Sequence, residues 1–121
     1  MRRKRTAARR YATTAYDAEV GDYMAVHGWT LERDNESGGF FGQLPVFVLW
    51  ASRPDVVLAA SWFGIRSQDD AERMLLPEMR AADEEAPKRA ACDHLWMTED
   101  PDRGLEICTR DCGARRFVRQ P

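Results

Sequence analysis

The chain has 121 residues, 44% of them hydrophobic and 31% charged, with a formal net charge of −2. That length bounds it to one domain, or one domain with a small appendage, and the apolar fraction is enough for a real core. No run of eighteen apolar residues occurs, which excludes a membrane-spanning helix, and Met1-Arg2-Arg3-Lys4-Arg5 is followed by no apolar stretch, so a signal peptide is not expected and a cytoplasmic location is.

The small net charge hides a partition. Residues 1–10 carry six cations and no anions, residues 11–87 carry five cations against fourteen anions, and residues 88–121 carry seven against six. This divides the chain into a basic arm (1–10), an acidic α+β domain (11–87) and a mildly basic C-terminal part (88–121). Arginine outnumbers lysine sixteen to two, which points to a GC-rich coding genome rather than to a task.

In the arm, Arg2, Arg3, Lys4, Arg5, Arg9 and Arg10 repel one another and bury nothing, so flexibility is expected. Such an arm either contacts the phosphates of a nucleic acid or is a solvated terminus that can fold back on the acidic middle. Next, Tyr16, Val20, Tyr23, Met24 and His27 form one stripe at helical spacing, predicting a helix over 15–27. Thr14 with Asp17 resembles a capping box, and Gly28 stands where a C-cap glycine would. His27 then reads as a cap-region histidine.

Trp29-Thr30-Leu31-Glu32-Arg33 alternates as a strand with one wet face, and residues 34–39 form a loop. Val46 to Ala51 and Val56 to Phe63 form a hairpin around Arg53-Pro54-Asp55. Both strands are apolar on both faces, so both faces must be covered. The second cover is the C-terminal hairpin, the Phe40-Phe41 segment or another subunit, and Trp50 and Trp62 read as core. A second helix begins at Ser67, buries Ala71, Met74, Leu75, Met79 and Ala82, and is expected to kink or break at Pro77. Residues 86–91 read as a linker. Helix, strand, strand, strand, helix is also the order of double-stranded-RNA-binding domains, but Asp69, Asp70 and Glu72 stand where those domains are Lys-rich, so that function is not carried over.

All three cysteines and one of the two histidines fall in Cys92-Asp93-His94-Leu95-Trp96 and Ile107-Cys108-Thr109-Arg110-Asp111-Cys112-Gly113. Cys and His are the preferred ligands of Zn²⁺, and Cys92, His94, Cys108 and Cys112 would complete a tetrahedral shell. Pro101, Asp102 and Gly104 supply the turn between the two pairs, predicting a β-hairpin with paired ligands. An odd cysteine count argues against disulfides. Buried cysteines acting as small hydrophobes are the plainer alternative.

These residues resemble the zinc ribbons of small proteins from actinobacteria and their phages: C-x-H-x-W, a hairpin, then C-x-x-C-G followed by basic residues. Cys92, His94, Trp96, Cys108, Cys112, Gly113, Arg115 and Arg116 match, with one departure, since the second pair is spaced C-x-x-x-C. The resemblance covers about the last thirty residues. It implies a structural zinc in a protein that binds nucleic acid or protein.

The expected architecture is therefore α+β: helix, three-stranded antiparallel sheet, helix, and a C-terminal zinc-ribbon-like β-hairpin. The expected function is a small zinc-binding nucleic-acid-binding or regulatory module. Arg2, Arg3, Lys4, Arg5, Arg9, Arg10, Arg110, Arg115 and Arg116 would meet phosphates. The alternative is a protein-interaction adaptor, or an acidic decoy, docking on a basic partner. No Ser-His-Asp set can be assembled from two histidines, and the deaminase pattern is absent, so no enzyme and no small-molecule substrate are expected.

Overall fold

The computed structural model describes residues 10–34, 40, 41, 44, 45, 48–60, 65 and 67–118. Strand β1 (Arg10–Ala12) precedes helix α1 (Ala18–His27) and strand β2 (Thr30–Asp34). Two short strands, β3 (Phe40–Phe41) and β4 (Leu44–Pro45), pair with each other, and β5 (Leu49–Arg53) and β6 (Val56–Ala60) form the central hairpin. Helices α2 (Gln68–Glu84) and α3 (Ala86–Ala90) follow, then β7 (Trp96–Asp100), β8 (Leu105–Cys108) and β9 (Arg115–Phe117).

The main sheet has the antiparallel order β1-β2-β5-β6, four strands rather than the three expected. The extra strand takes Arg10 out of the arm. Arg10 pairs with Asp34 in register, its guanidinium reaches Glu32 at 3.5 Å and the Arg103 carbonyl at 2.7 Å, and it lies 3.4 Å over the Phe117 ring. A cation with a carboxylate, a carbonyl and an aromatic face no longer gains by staying in water. The rest of the arm lies outside the described residues, as do Trp62, residues 35–39 and the ends of the predicted hairpin strands.

Helix α1 starts at Ala18, three residues later than predicted. Asp17 alone is its N-cap, accepting from the amides of Glu19 and Val20. Gly28 closes it in the left-handed region at φ 73°, where a Cβ would be strained. Tyr16 falls outside the helix and is exposed, while Val20 and Met24 face the core.

Helix α2 begins behind Ser67, whose hydroxyl accepts from the Asp70 amide, and runs through Pro77 without the predicted break. Pro77 and Arg73, whose carbonyl loses its partner, are both on the exposed side. Leu75, Leu76 and Met79 are buried on either side of the proline. Each contributes about 1.5–3 kcal/mol of burial, which outweighs the roughly 3 kcal/mol that an interior proline costs. Met74, expected in the core, is half exposed, and Leu76 is buried in its place. The predicted linker is helix α3, with Pro87 in its first turn, where a missing N–H is harmless.

One core joins α1 and α2 to the sheet through Val20, Met24, Leu31, Leu49, Leu75 and Met79. On the opposite face Val48, Trp50 and Val57 pack against Leu105 and Phe117 from β8 and β9. The cover for the second apolar face is thus the C-terminal sheet. The predicted hairpin there gains a third strand, giving the order β7-β8-β9. Arg115 ties that sheet to the edge of β6, its amide donating to the Asp55 carbonyl (3.1 Å) and its guanidinium to the Val57 carbonyl (3.2 Å). No helix among the described residues is long and apolar enough to cross a membrane.

Candidate metal centre

The β7–β8 ladder brings the two ligand pairs together. Trp96 is opposite Cys108, and the Thr109 amide donates to the Leu95 carbonyl at 2.9 Å, so the chain entering β7 runs beside the chain leaving β8. That entering segment carries Cys92 and His94. The leaving segment turns back through 109–113, and the turn is closed by the Cys108 amide donating to the Ala114 carbonyl at 2.9 Å. The ligand atoms of Cys92, His94, Cys108 and Cys112 consequently all lie within 4.8 Å of one another, close enough to hold a metal ion.

The additional residue of the C-x-x-x-C spacing is absorbed at Asp111, which adopts φ 65°. Asp is among the few side chains that tolerate this left-handed conformation, and Gly113 takes φ 81° two residues later. With the turn relaxed in this way, each sulfur of the turn still receives an amide two residues on. The Arg110 N–H reaches the Cys108 sulfur at 3.4 Å, and the Ala114 N–H reaches the Cys112 sulfur at 3.4 Å. His94 turns Nδ1 to within 3.4 Å of the Cys112 sulfur, and the Cys92 and Cys108 sulfurs are 3.8 Å apart with no disulfide.

Three thiols so close cannot all ionise without a cation among them. Burial disfavours the Cys108 thiolate, but the Arg110 amide, His94 and the Leu95 backbone outweigh it and bring the thiol down to about 6. Cys92 moves the other way, pushed up to about 12 by burial and by the neighbouring sulfurs. This donor set, soft and compact with amides directed at two sulfurs, fits a tetrahedral divalent metal, for which all four groups would be ligands. Around it, Trp96 lies beside His94 with ring centroids 4.8 Å apart, and Arg116 covers Trp96 at 4.1 Å. Ala114 is fully buried and packs with the three cysteines and Trp96.

Among the described residues, three of the cations expected to contact phosphate are engaged by the chain's own carboxylates. Arg115 pairs with Glu99 at 2.9 Å, Arg116 with Glu106 at 2.8 Å and Arg10 with Glu32. Arg110 is exposed on the turn between the two cysteines. Arg2, Arg3, Lys4, Arg5 and Arg9 lie outside the described residues. His27 stacks on Tyr23 at 4.2 Å, in the cap region and not in the metal cluster.

Three buried or partly buried polar groups frame the fold and were not singled out from the sequence. Glu72, fully buried, accepts from the amides of Tyr16 and Asp17 and from Gln68. Arg89 donates to Asp55 and to the Ala82 carbonyl. Asp83 accepts from Tyr23, Trp29 and Arg53. A glutamate four residues from a glutamine on the buried side of a helix was the available signal for the first.

A small α+β protein with a Cys₃His cluster able to hold a metal is the class that fold and site define. No family model matches the chain, and no curated protein or solved structure is significantly similar to it.

Proposed function

We propose that Cys92, His94, Cys108 and Cys112 hold one Zn²⁺ in a closed structural site, and that the protein is a small zinc-binding module that recognises another protein. The observation carrying this reading is the convergence of four donor atoms within 4.8 Å. Zinc takes Cys₃His sets in structural sites, and four protein ligands leave no position for a reacting water. The reading is accordingly non-enzymatic. The likeness to actinobacterial and phage zinc ribbons stands with it, on the sequence pattern.

A protein partner is preferred to a nucleic acid because Arg10, Arg115 and Arg116 are engaged by the chain's own carboxylates. The excess of anions across 11–87 would also repel a long duplex. Nucleic-acid binding is the second reading, favoured by the six cations of residues 1–10 and by exposed Arg110. It requires oligonucleotide affinity that falls steeply with added salt.

The metal half is tested by chelation. Stripping the protein should lower its thermal midpoint by roughly 10 °C or more, with recovery on adding Zn²⁺ but not Mg²⁺. An unchanged midpoint, with no zinc released to the chelator, would overturn it.

A further inference from the structure

A groove of about 710 Å³ runs between the C-terminal half of α2, helix α3 and the cysteine turn. Its floor is apolar, made by Val56 and Leu58 of β6, Ala81 and Ala82 of α2, and Ile107 of β8. Its size is in the range of about 300–1,000 Å³ typical of ligand sites. Cys108 and Cys112 form part of one wall, so the wall's shape depends on the metal centre.

The rim has a distinctive charge. Glu78, Glu85 and Asp111 are exposed along it, from both walls. Several acids elsewhere are paired, as in Asp83 with Arg53, Asp55 with Arg89, Glu99 with Arg115 and Glu106 with Arg116. Among the described residues no ion pair reaches Glu78, Glu85 or Asp111. The groove's two cations do not balance them: Arg89 is buried and turned to Asp55 and the Ala82 carbonyl, which leaves Lys88 alone. An apolar floor under an unpaired acidic rim suits one kind of occupant, an apolar side chain flanked by cations.

We propose that this groove docks a short basic segment of a partner protein, with one or two apolar side chains on the Val56–Leu58–Ile107 floor and Lys or Arg side chains against Glu78, Glu85 and Asp111. This rests on the protein-recognition reading above and adds the partner's chemistry. The metal enters only by holding the cysteine turn in place as one wall.

The test uses the 121-residue protein, immobilised, and two pools of hexapeptides. Both carry Leu, Ile, Val, Phe or Met at the two central positions; one has Lys or Arg at the other four, and the mirror pool has Asp or Glu there. The protein should retain the basic pool and not the acidic one. Glu78→Lys should reduce retention about fivefold or more, since it turns an attraction into a repulsion. Ala81→Trp, which fills the groove from an exposed helix position, should abolish it. Asp22→Lys, the same charge change on the exposed side of α1, should leave retention unchanged. Equal losses in Glu78→Lys and Asp22→Lys would reduce the effect to net charge and overturn the proposal. So would no retention by a wild-type protein that contains zinc, or binding of a single-stranded oligonucleotide in its place. Zinc content measured on the same samples separates the two readings: protein without zinc counts against the metal centre, whereas zinc-loaded protein blind to basic peptides counts only against the groove.

Discussion

Asp83 shows how one side chain joins three elements. It accepts hydrogen bonds from Tyr23 on α1, from Trp29 Nε1 at 3.0 Å and from Arg53 on β5 at 2.8 Å, with His27 Nδ1 4.0 Å away. Burial by itself would raise its carboxyl, but these donors and the Arg53 charge outweigh burial and hold it below its ordinary 3.8. Tyr23 is pushed up to about 12 by burial and by the same carboxylate. A carboxyl with a depressed folded pKa stabilises the fold fully above its unfolded pKa, and that contribution is lost as pH falls through the folded value. Asp83→Asn should cost about 1–3 kcal/mol at neutral pH. It should also flatten the fall in stability below about pH 4, because no proton uptake remains at this position. Urea unfolding at pH 7 and at pH 3 checks both, and an acid limb as steep as wild type would contradict the role. None of this is visible from the sequence, where Asp83 is the first of three consecutive acids. The partners are 30 to 60 residues away, and only the packing of α1, β5 and α2 brings them to one carboxylate.

At the scale of elements, local chemistry was legible where it was self-contained. Ser67 and Gly28 end their helices as their side-chain and backbone preferences dictate, and the hairpin around Pro54-Asp55 closes where expected. It failed where tertiary burial overrides local cost. The β1 strand adds to a sheet edge that a basic terminus does not advertise, and α2 passes through Pro77 because its buried side chains continue beyond it. Pro77→Ala restores one N–H on an exposed helix side. It should stabilise the protein by about 1–2 kcal/mol after allowance for the freer unfolded chain, read as a higher urea midpoint at constant slope. A lower midpoint would show that the proline is needed for the path of the helix. The Cys/His cluster was the most legible part of the site, since its four residues come in two local pairs. The extra residue in C-x-x-x-C coincides with a left-handed backbone at Asp111 that spacing alone does not reveal.

For the whole molecule, two layers of packing meet on one sheet: helices on one face, the C-terminal sheet on the other. The alternation-free apolar strands announced that both faces are covered, and composition left open which segment does so. The groove escaped sequence reading for the same reason as Asp83, since Glu78 and Glu85 on the helices and Asp111 on the cysteine turn become neighbours only in the folded chain. One wall of that groove, and the path from β8 to β9, are set by the turn that Cys108 and Cys112 bracket. The most direct test is therefore the zinc content per chain of protein purified without added metal, repeated on Cys108→Ser and Cys112→Ser. The account predicts about one zinc in the wild type and loss from both variants, with unfolding of the C-terminal sheet. Zinc retained in full by Cys112→Ser would contradict the closed four-ligand site, and wild-type protein without zinc would contradict the metal centre itself.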